Sequence, residues 1–518
     1  MPSHTDNNGN LQLGGIARAF GIVAAAAAGL YIVTYLCVAL LRIPYPFELE
    51  FMEGDSVDQV WRVLHGQALY VPPSVEFVPA LYPPLYYYIG AAVAYVMGLD
   101  MLPLRVVSFL ASLACFSLIG SFVWRESRDR LVALLAVGLF AATYAESGAW
   151  LDTARVDTLL VMFMLGAVWW VRFGRGKWPH VAAGILSAAA IFTKQTALLL
   201  PLALFLYLLL MRRNRAAYFG IAFIVAFGVP FFLLMNASHG WFGLYTVTIP
   251  AAHPWDKLML LSFWTQDILL PLPIAFTLVF FYLILRWRER RRDDWLFVLL
   301  VGAGMIAAAY APRVKAGNFD NDLVPAYAFL ALVFGAALAD LRERIRRSES
   351  SQRSTAGLLH ALLMLLVVVQ FASLVYHPSR MIPSAKDRQA GMELVRQVRA
   401  YPGPVWVVHH GYISVMAGKA PLVTMQPMQD LLAATDERSR EMIVASVEDV
   451  LRRHSFDAIF LNEPWPEQLR GVECYEAKRA VFADTSCFWP VTGYRTRPEL
   501  VYEPIRTTCG SQQNQEIE

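Results

Sequence analysis

Five carboxylates, Glu48, Glu50, Glu53, Asp55 and Asp58, fall within the stretch "PFELEFMEGDSVDQ", just past the first long apolar run. A carboxylate can take the proton of a poor nucleophile such as a hydroxyl. Further on, "WLDTARVDTLL" carries Asp152, Arg155 and Asp157, "IFTKQTALLLP" carries Lys194, and "PRVKAGNFDNDLVP" carries Arg313, Lys315, Asn318 and Asn321. Fixed cations of this kind stabilise negative charge that develops on a leaving group. Lys194 interrupts a long apolar stretch. A charge near hydrocarbon costs a few kcal/mol, which makes such residues functional candidates by default. Structural readings stand beside these. Lys194 can snorkel to the interface, and Asp157 can cap a helix or pair with Arg155. Glu48 and Asp58 read as solvated.

The elements that must position these residues are membrane helices. The 518 residues are 57% hydrophobic and 16% charged, against roughly a quarter charged in a soluble domain. Apolar runs at 16–41, 103–124, 131–146, 157–174, 179–193, 196–211, 217–236, 268–286, 295–311, 323–340 and 357–376 predict about eleven spans. "LYPPLYYYIGAAVAYVMG" opens with two prolines and a run of tyrosines. It reads as an interfacial or re-entrant helix, because tyrosine favours the membrane interface. With that segment not crossing, "RESRDR", "RFGRGK", "RRNR", "RWRERRR" and "LRERIRRSESSQR" share one side and together hold 19 Lys or Arg. By the positive-inside rule that side is cytoplasmic. The N-terminal tail is then inside, and every candidate residue above is outside. The first run lacks the basic start of a cleaved signal and reads as a retained helix.

The domain reading that results is a cytoplasmic tail at 1–15, a membrane domain at 16–376 with its first outer loop at 42–102, and an outer domain at 377–518. From Asp55 onward Val57, Val60, Trp61 and Leu64 recur at helical spacing, predicting an interfacial helix with Asp58 and Arg62 on its wet face. In the last part, "AKDRQAGMELVRQVRA" and "ERSREMIVASVEDVLRRH" predict helices, and "PVWVVHH" and "FDAIFL" predict strands. The fold class is therefore mostly α: a polytopic transmembrane bundle with interfacial helices and a small C-terminal α/β domain. Cys37 and Cys115 read as packing residues. Cys474, Cys487 and Cys509 allow one disulfide if their side is oxidising. No Walker A loop, GxGxxG fingerprint, zinc-type CxxC pair or internal repeat is present. An ATP-driven pump is disfavoured, and the net charge of +3 gives no reason to expect nucleic acid. The rival class is a membrane transporter or flippase, which binds near the midplane and often shows related halves.

Taken in order, the motifs resemble the GT-C superfamily of integral-membrane glycosyltransferases. The nearest branch is family-39-like, which includes protein mannosyltransferases and the aminoarabinose transferase of lipid A. The resemblance rests on "ELEFMEG" followed by "VLHGQALYVPP" and "YPPLYYYIGA", then "ARVDTLL", "FTKQT" and "AGNFDNDLVP", over roughly 16–340. Spacing to Gly66 sets Met52 and Glu53 at the family's acidic pair, with Glu50 and Asp55 flanking it. The resemblance implies inverting transfer from a polyprenyl-phosphate-sugar donor to a glycan, lipid or protein acceptor. That would occur at the outer face of a bacterial cytoplasmic membrane, among membrane lipids. Glu53 is the first choice as general base, then Asp55, then Glu50, with Asp157 orienting the acceptor or holding Arg155. Lys194 and Arg155, helped by Arg313 or Lys315, would meet the donor phosphate. Tyr82, Tyr86, Asn318 and Asn321 would line the groove. No cofactor is called for. A divalent metal is compatible with the chemistry, but His65 and His253 stand in no ligand-spaced cluster.

Overall fold

The computed structural model describes residues 4–348, 353–462 and 465–505. Each of the predicted spans falls on a helix. Six helices among the described residues are long and apolar enough to cross a membrane: Gly14–Arg42, Met101–Ser127, Arg213–Ala237, Arg292–Arg313, Asp320–Ser348 and Thr355–Ser373. A further pair, Met259–Leu269 and Pro273–Arg288, bends by 97° at its break. Shorter helices, among them Arg130–Ala142, Asp157–Phe173, Trp178–Thr193 and Leu199–Met211, fill the bundle between them. Helix starts follow local chemistry. Asp100 caps the Leu102 amide at 2.8 Å, and Asp129 caps those of Leu131 and Val132 at 2.9 and 3.2 Å. The apolar window of Asp320–Ser348 is 89% buried and that of Arg213–Ala237 only 6%. The first is therefore the central post of the bundle and the second a peripheral helix.

The tyrosine-rich segment forms the helix Leu85–Met97. At about 1.5 Å per residue it is too short to cross a bilayer core. Tyr86 and Tyr87 are buried, while Tyr95 and Val96 are exposed.

The C-terminal part is a four-stranded sheet of order β1-β2-β4-β3, with β1 at Val405–Val407, β2 at Ala458–Leu461, β3 at Tyr475–Ala480 and β4 at Leu500–Pro504. β1 and β2 are parallel; β4 runs antiparallel to both β2 and β3. The predicted helices are present as Ala385–Ala400, opened by a Ser384–Asp387 capping box, and Glu437–Arg452, capped by Asp436. Cys474 is disulfide-bonded and Cys487 is a free thiol.

This domain sits directly on the first outer loop, and one hydrophobic core runs through both. A Cβ at Gly391 would stand 2.4 Å from the Phe47 ring, so only glycine lets Ala385–Ala400 approach so closely. The amides of Val491 and Thr492 donate to the Leu49 carbonyl, and that of Val423 donates to the Val75 carbonyl. The docking overturns one expectation. Glu48 and Asp58 are buried, not solvated, because the C-terminal domain covers the face of Glu53–Leu64 that would otherwise be wet. Glu48 pairs with His410, and Asp58 lies against Gly411.

Under this contact Arg105, from the second span, meets Glu53 at 2.8 and 2.5 Å, with neither side chain exposed. The same guanidinium donates to the carbonyls of Tyr45 and Phe47. Arg105→Met would leave a buried carboxylate without its cation, at a cost of about 3–5 kcal/mol. The expected outcome is a clear drop in the melting temperature of the detergent-solubilised protein. An Arg105→Met/Glu53→Leu double variant should recover only part of it, since the unpaired charge is gone but the amides of Leu49 and Ala154 and the carbonyls of Tyr45 and Phe47 lose their partners.

Candidate active site

Lys194 stands where the helix Trp178–Thr193 ends and a 3-10 turn, Gln195–Leu198, begins. Its ammonium lies 2.7 Å from Asp157 Oδ1 and 2.7 Å from Asp322 Oδ1. Asn321 Nδ2 also donates to Asp157 Oδ1, at 3.0 Å. Asp157 is the first residue of Asp157–Phe173, and Asp322 lies in the turn that leads into Val324–Ser348. Both carboxylates thus sit at the positive ends of helix dipoles and the ammonium at a negative end, the arrangement each charge prefers. One cation with two carboxylates carries no surplus positive charge.

Arg155 is differently placed. It donates to the Met52 carbonyl at 3.3 Å and the Tyr82 hydroxyl at 3.2 Å, and it lies 5.5 Å over the rings of both Tyr82 and Trp150. Its Nε is 3.5 Å from Glu50 Oε2, a loose ion pair without a hydrogen bond. Neither oxygen of Glu50 accepts a well-formed hydrogen bond among the described residues, although the side chain is fully buried, and Arg155 and the Met52 amide offset that burial only in part. Burial raises the Glu50 carboxyl to about 8 against the pull of Arg155.

Of these groups Arg155, Lys194, Asn321 and Asp322 line a cavity of about 420 Å³ that residues of both domains share, while Glu50 and Asp157 stand behind that lining. Arg155, Lys194 and Lys315 contribute cations, and Tyr82, Trp150 and Phe319 contribute aromatic faces. Asn318, Asn321 and Asp322 line it from the late outer turn, His253 from the loop before the bent pair, and Gln426 and Asp430 from the C-terminal domain. Lys315 donates to the carbonyls of Ala251 and His253 at 3.2 and 2.8 Å and lies 4.3 Å from the Trp255 ring. It has no carboxylate partner among the described residues.

The other sequence-predicted residues separate clearly. Glu53 accepts from the amides of Leu49 and Ala154, each at 2.6 Å, in addition to Arg105. Burial would raise its carboxyl, but Arg105 and these amides hold it below the ordinary value. Both of its oxygens are committed, so Glu53 is a structural carboxylate here. Asp55 accepts from the Thr424 hydroxyl and lines a separate, much smaller crevice with Asp58 and Glu76. Arg313 pairs with Asp267 and Asp320, outside the cavity lining. Tyr86 is buried away from the cavity and bonded to Leu104 and Ser108. The amide of Asn318 is spent on the carbonyls of its own turn. Among the described residues, no group of three or more His, Cys, Asp or Glu is placed to hold a metal ion. Asp322, Gln426 and Asp430 were not singled out from sequence. Asp322 repeats the pattern of Asp157, an acid opening a span, and could have been found. Asp430 sits in an ordinary amphipathic helix and carries no signal.

The bundle of membrane helices, capped by a C-terminal domain with an acid-and-base cavity between them, is similar to known membrane glycosyltransferases, in sequence over part of its length and in fold over most of it. Residues 80–314, somewhat under half of the chain, match the model of Glycosyltransferase family 87. No curated protein matches the sequence. The fold is similar to that of ArnT from Cupriavidus metallidurans solved with undecaprenyl phosphate, with a TM-score of 0.58 at 13% identity over 93% of this chain and 99% of that one. It is also similar to the Archaeoglobus fulgidus oligosaccharyltransferase in its apo form, with a TM-score of 0.52 at 12% identity over 84% and 69% of the two chains. The same enzyme, AglB, was also solved with an inhibitory peptide and a dolichol-phosphate. At these identities the likeness is one of fold.

The buried acids give a pH dependence with a definite sign. Burial raises Glu50 from 4.5 to about 8 and Asp430 from 3.8 to about 7. The folded protein then binds more protons than the unfolded chain, and the stability from that binding is lost as pH rises through these values. His409 and His410 are shifted down by burial, so their opposite contribution lies below about pH 6.5. Between pH 6.5 and 8 the melting temperature should fall as pH rises. Glu50→Gln should flatten that slope; an unchanged slope would show that Glu50 does not titrate there.

Proposed function

We propose that the chain transfers a sugar from a polyprenyl-phosphate-linked donor to an acceptor at the outer face of the membrane, with inversion at the sugar carbon. The reading is supported most by one observation: a buried carboxylate, Glu50, without a well-formed hydrogen bond among the described residues, stands behind a cation, Arg155, that lines a cavity shared by the membrane helices and the C-terminal domain. The acceptor oxygen attacks the sugar carbon while Glu50 takes its proton. The bond from that carbon to the phosphate oxygen breaks, and the phosphate keeps the electron pair. Arg155 and Lys315 meet the charge that develops there. As Arg155 turns to the phosphate it leaves Glu50, which is then free to act as base. Lys194 holds Asp157 and Asp322 in place and so fixes the floor of the cavity.

The basic loops support a cytoplasmic N-terminus with the cavity and the C-terminal domain outside, as in a bacterial cytoplasmic membrane. The polyprenyl phosphate is the class of molecule that the solved ArnT and AglB structures contain.

The test is mass spectrometry of polyprenyl-phosphate sugars in cells carrying wild-type protein, Glu50→Gln or no protein. One lipid-linked sugar should accumulate in the last two and be consumed with wild type. Transfer by Glu50→Gln should fall by at least about 100-fold, with the protein still folded and inserted. Full activity of this variant would remove Glu50 as base, and an unchanged lipid pool would overturn the donor. In purified wild type the rate should rise with pH toward the Glu50 value of about 8, because the base must be deprotonated to act.

A further inference from the structure

The C-terminal domain does more than cover the first loop: its helix Met425–Leu432 reaches the cavity itself. The helix is held at its start. The Met425 amide donates to the Val408 carbonyl at 2.7 Å, that of Val423 to the Val75 carbonyl at 2.9 Å, and the Thr424 hydroxyl to Asp55. So anchored, it places Gln426, Pro427 and Asp430 in the cavity lining.

Asp430 has few partners there. Gln426 Nε2 donates to its Oδ1 at 3.0 Å, and His253 Nε2 lies 3.7 Å from the same oxygen, beyond hydrogen-bond reach. Oδ2 accepts no hydrogen bond among the described residues. No Lys or Arg pairs with the side chain, and His253 is held toward its neutral form by burial and by Lys315. A carboxylate of this kind would repel a phosphate, yet it offers a strong acceptor to hydroxyl groups. Trp150, Tyr82 and Phe319 supply flat apolar faces in the same cavity. A carboxylate and an amide beside aromatic faces is the chemistry that recognises a sugar ring, whose edges are hydroxyls and whose faces are C–H.

We propose that Asp430 and Gln426 form a sugar-hydroxyl subsite that the outer domain contributes to the transfer cavity. The proposal rests on the transferase reading above. Two sugars could fill the subsite, the one carried by the donor and one belonging to a glycan acceptor. Their ring hydroxyls are the shared chemistry.

The experiment uses the full-length protein, wild type, Asp430→Asn and Gln426→Ala. The probes are polyprenyl monophosphate, which has no sugar, and the lipid-linked sugar that accumulates in Glu50→Gln cells. Acceptor is supplied by membranes of cells lacking the protein. All three proteins should bind polyprenyl monophosphate equally, which reports an intact fold and phosphate site. If the subsite holds the donor sugar, Asp430→Asn should weaken binding of the lipid-linked sugar at least about tenfold. If it holds the acceptor, donor binding should stay unchanged while the amount of membrane needed for half-maximal rate rises by a similar factor. Gln426→Ala should move the same quantity in the same direction. Active wild type with both quantities unchanged in both variants overturns the subsite alone. Loss of polyprenyl monophosphate binding in both variants also overturns it, since the effect would not belong to sugar hydroxyls. Inactive wild type that consumes no lipid-linked sugar overturns the transferase reading and the subsite with it.

Discussion

The half of this molecule that holds the cavity and the C-terminal domain hangs on the buried pair between Glu53 and Arg105. The guanidinium grips the carboxylate and the carbonyls of Tyr45 and Phe47, so the chain leaving the first span is pinned to the second. The carboxylate in turn takes amides from Leu49 and from Ala154. One ion pair therefore fixes the end of the first helix, the start of the first outer helix and the turn that carries Arg155. Glu50 lies between two of those anchored points and Arg155 beside a third, which is why these two can stand 3.5 Å apart without being hydrogen-bonded. A buried pair is best tolerated when hydrogen bonds satisfy its remaining lone pairs and protons, as they do here.

The second charged cluster obeys the same rule differently. Lys194, Asp157 and Asp322 come from three separate helix ends, and each sits where the local dipole favours its charge. They hold the cavity floor rigid but have spent their electrostatics on one another. The cations with charge to spare are Arg155, whose partner is loose, and Lys315, which rests on carbonyls and an indole face. The site thus separates charges that build it from charges that can respond to a substrate. Removing Lys194 would strand two buried carboxylates, whereas removing Lys315 would strand none and would free two loop carbonyls.

Much of this architecture was legible from sequence because hydropathy and the placement of Arg and Lys act locally. Each predicted span lies on a helix, and the four segments read from the C-terminal part take the predicted forms. The acids were harder. Glu48, Glu50, Glu53, Asp55 and Asp58 look alike along the chain, and what distinguishes them is the partner each finds. Glu53 finds Arg105 from the second span, Asp55 finds Thr424 and Glu48 finds His410 from the C-terminal domain, and Glu50 finds only the loosely held Arg155 and no well-formed hydrogen bond among the described residues. Motif spacing favoured Glu53 because it marks the most constrained position, and a constrained acid serves structure as readily as chemistry. Asp430 was invisible for the opposite reason: its meaning comes wholly from which cavity its helix happens to enter.

That dependence on partners gives the C-terminal domain a physical role beyond cover. The first outer loop, standing alone, would keep its acids in water and ionised at neutral pH. Docking removes that water. Burial is the leading cause of the upward shift at Glu48, Glu50, Asp55 and Asp58 alike. A general base is most effective when its affinity for a proton is close to the working pH, and an exposed glutamate is too weak for that. On the function proposed above, the domain supplies the dry surroundings that would suit one acid of the loop to act as base. The same burial makes docking oppose ionisation of the loop, so protonation of these acids and docking of the domain are thermodynamically linked.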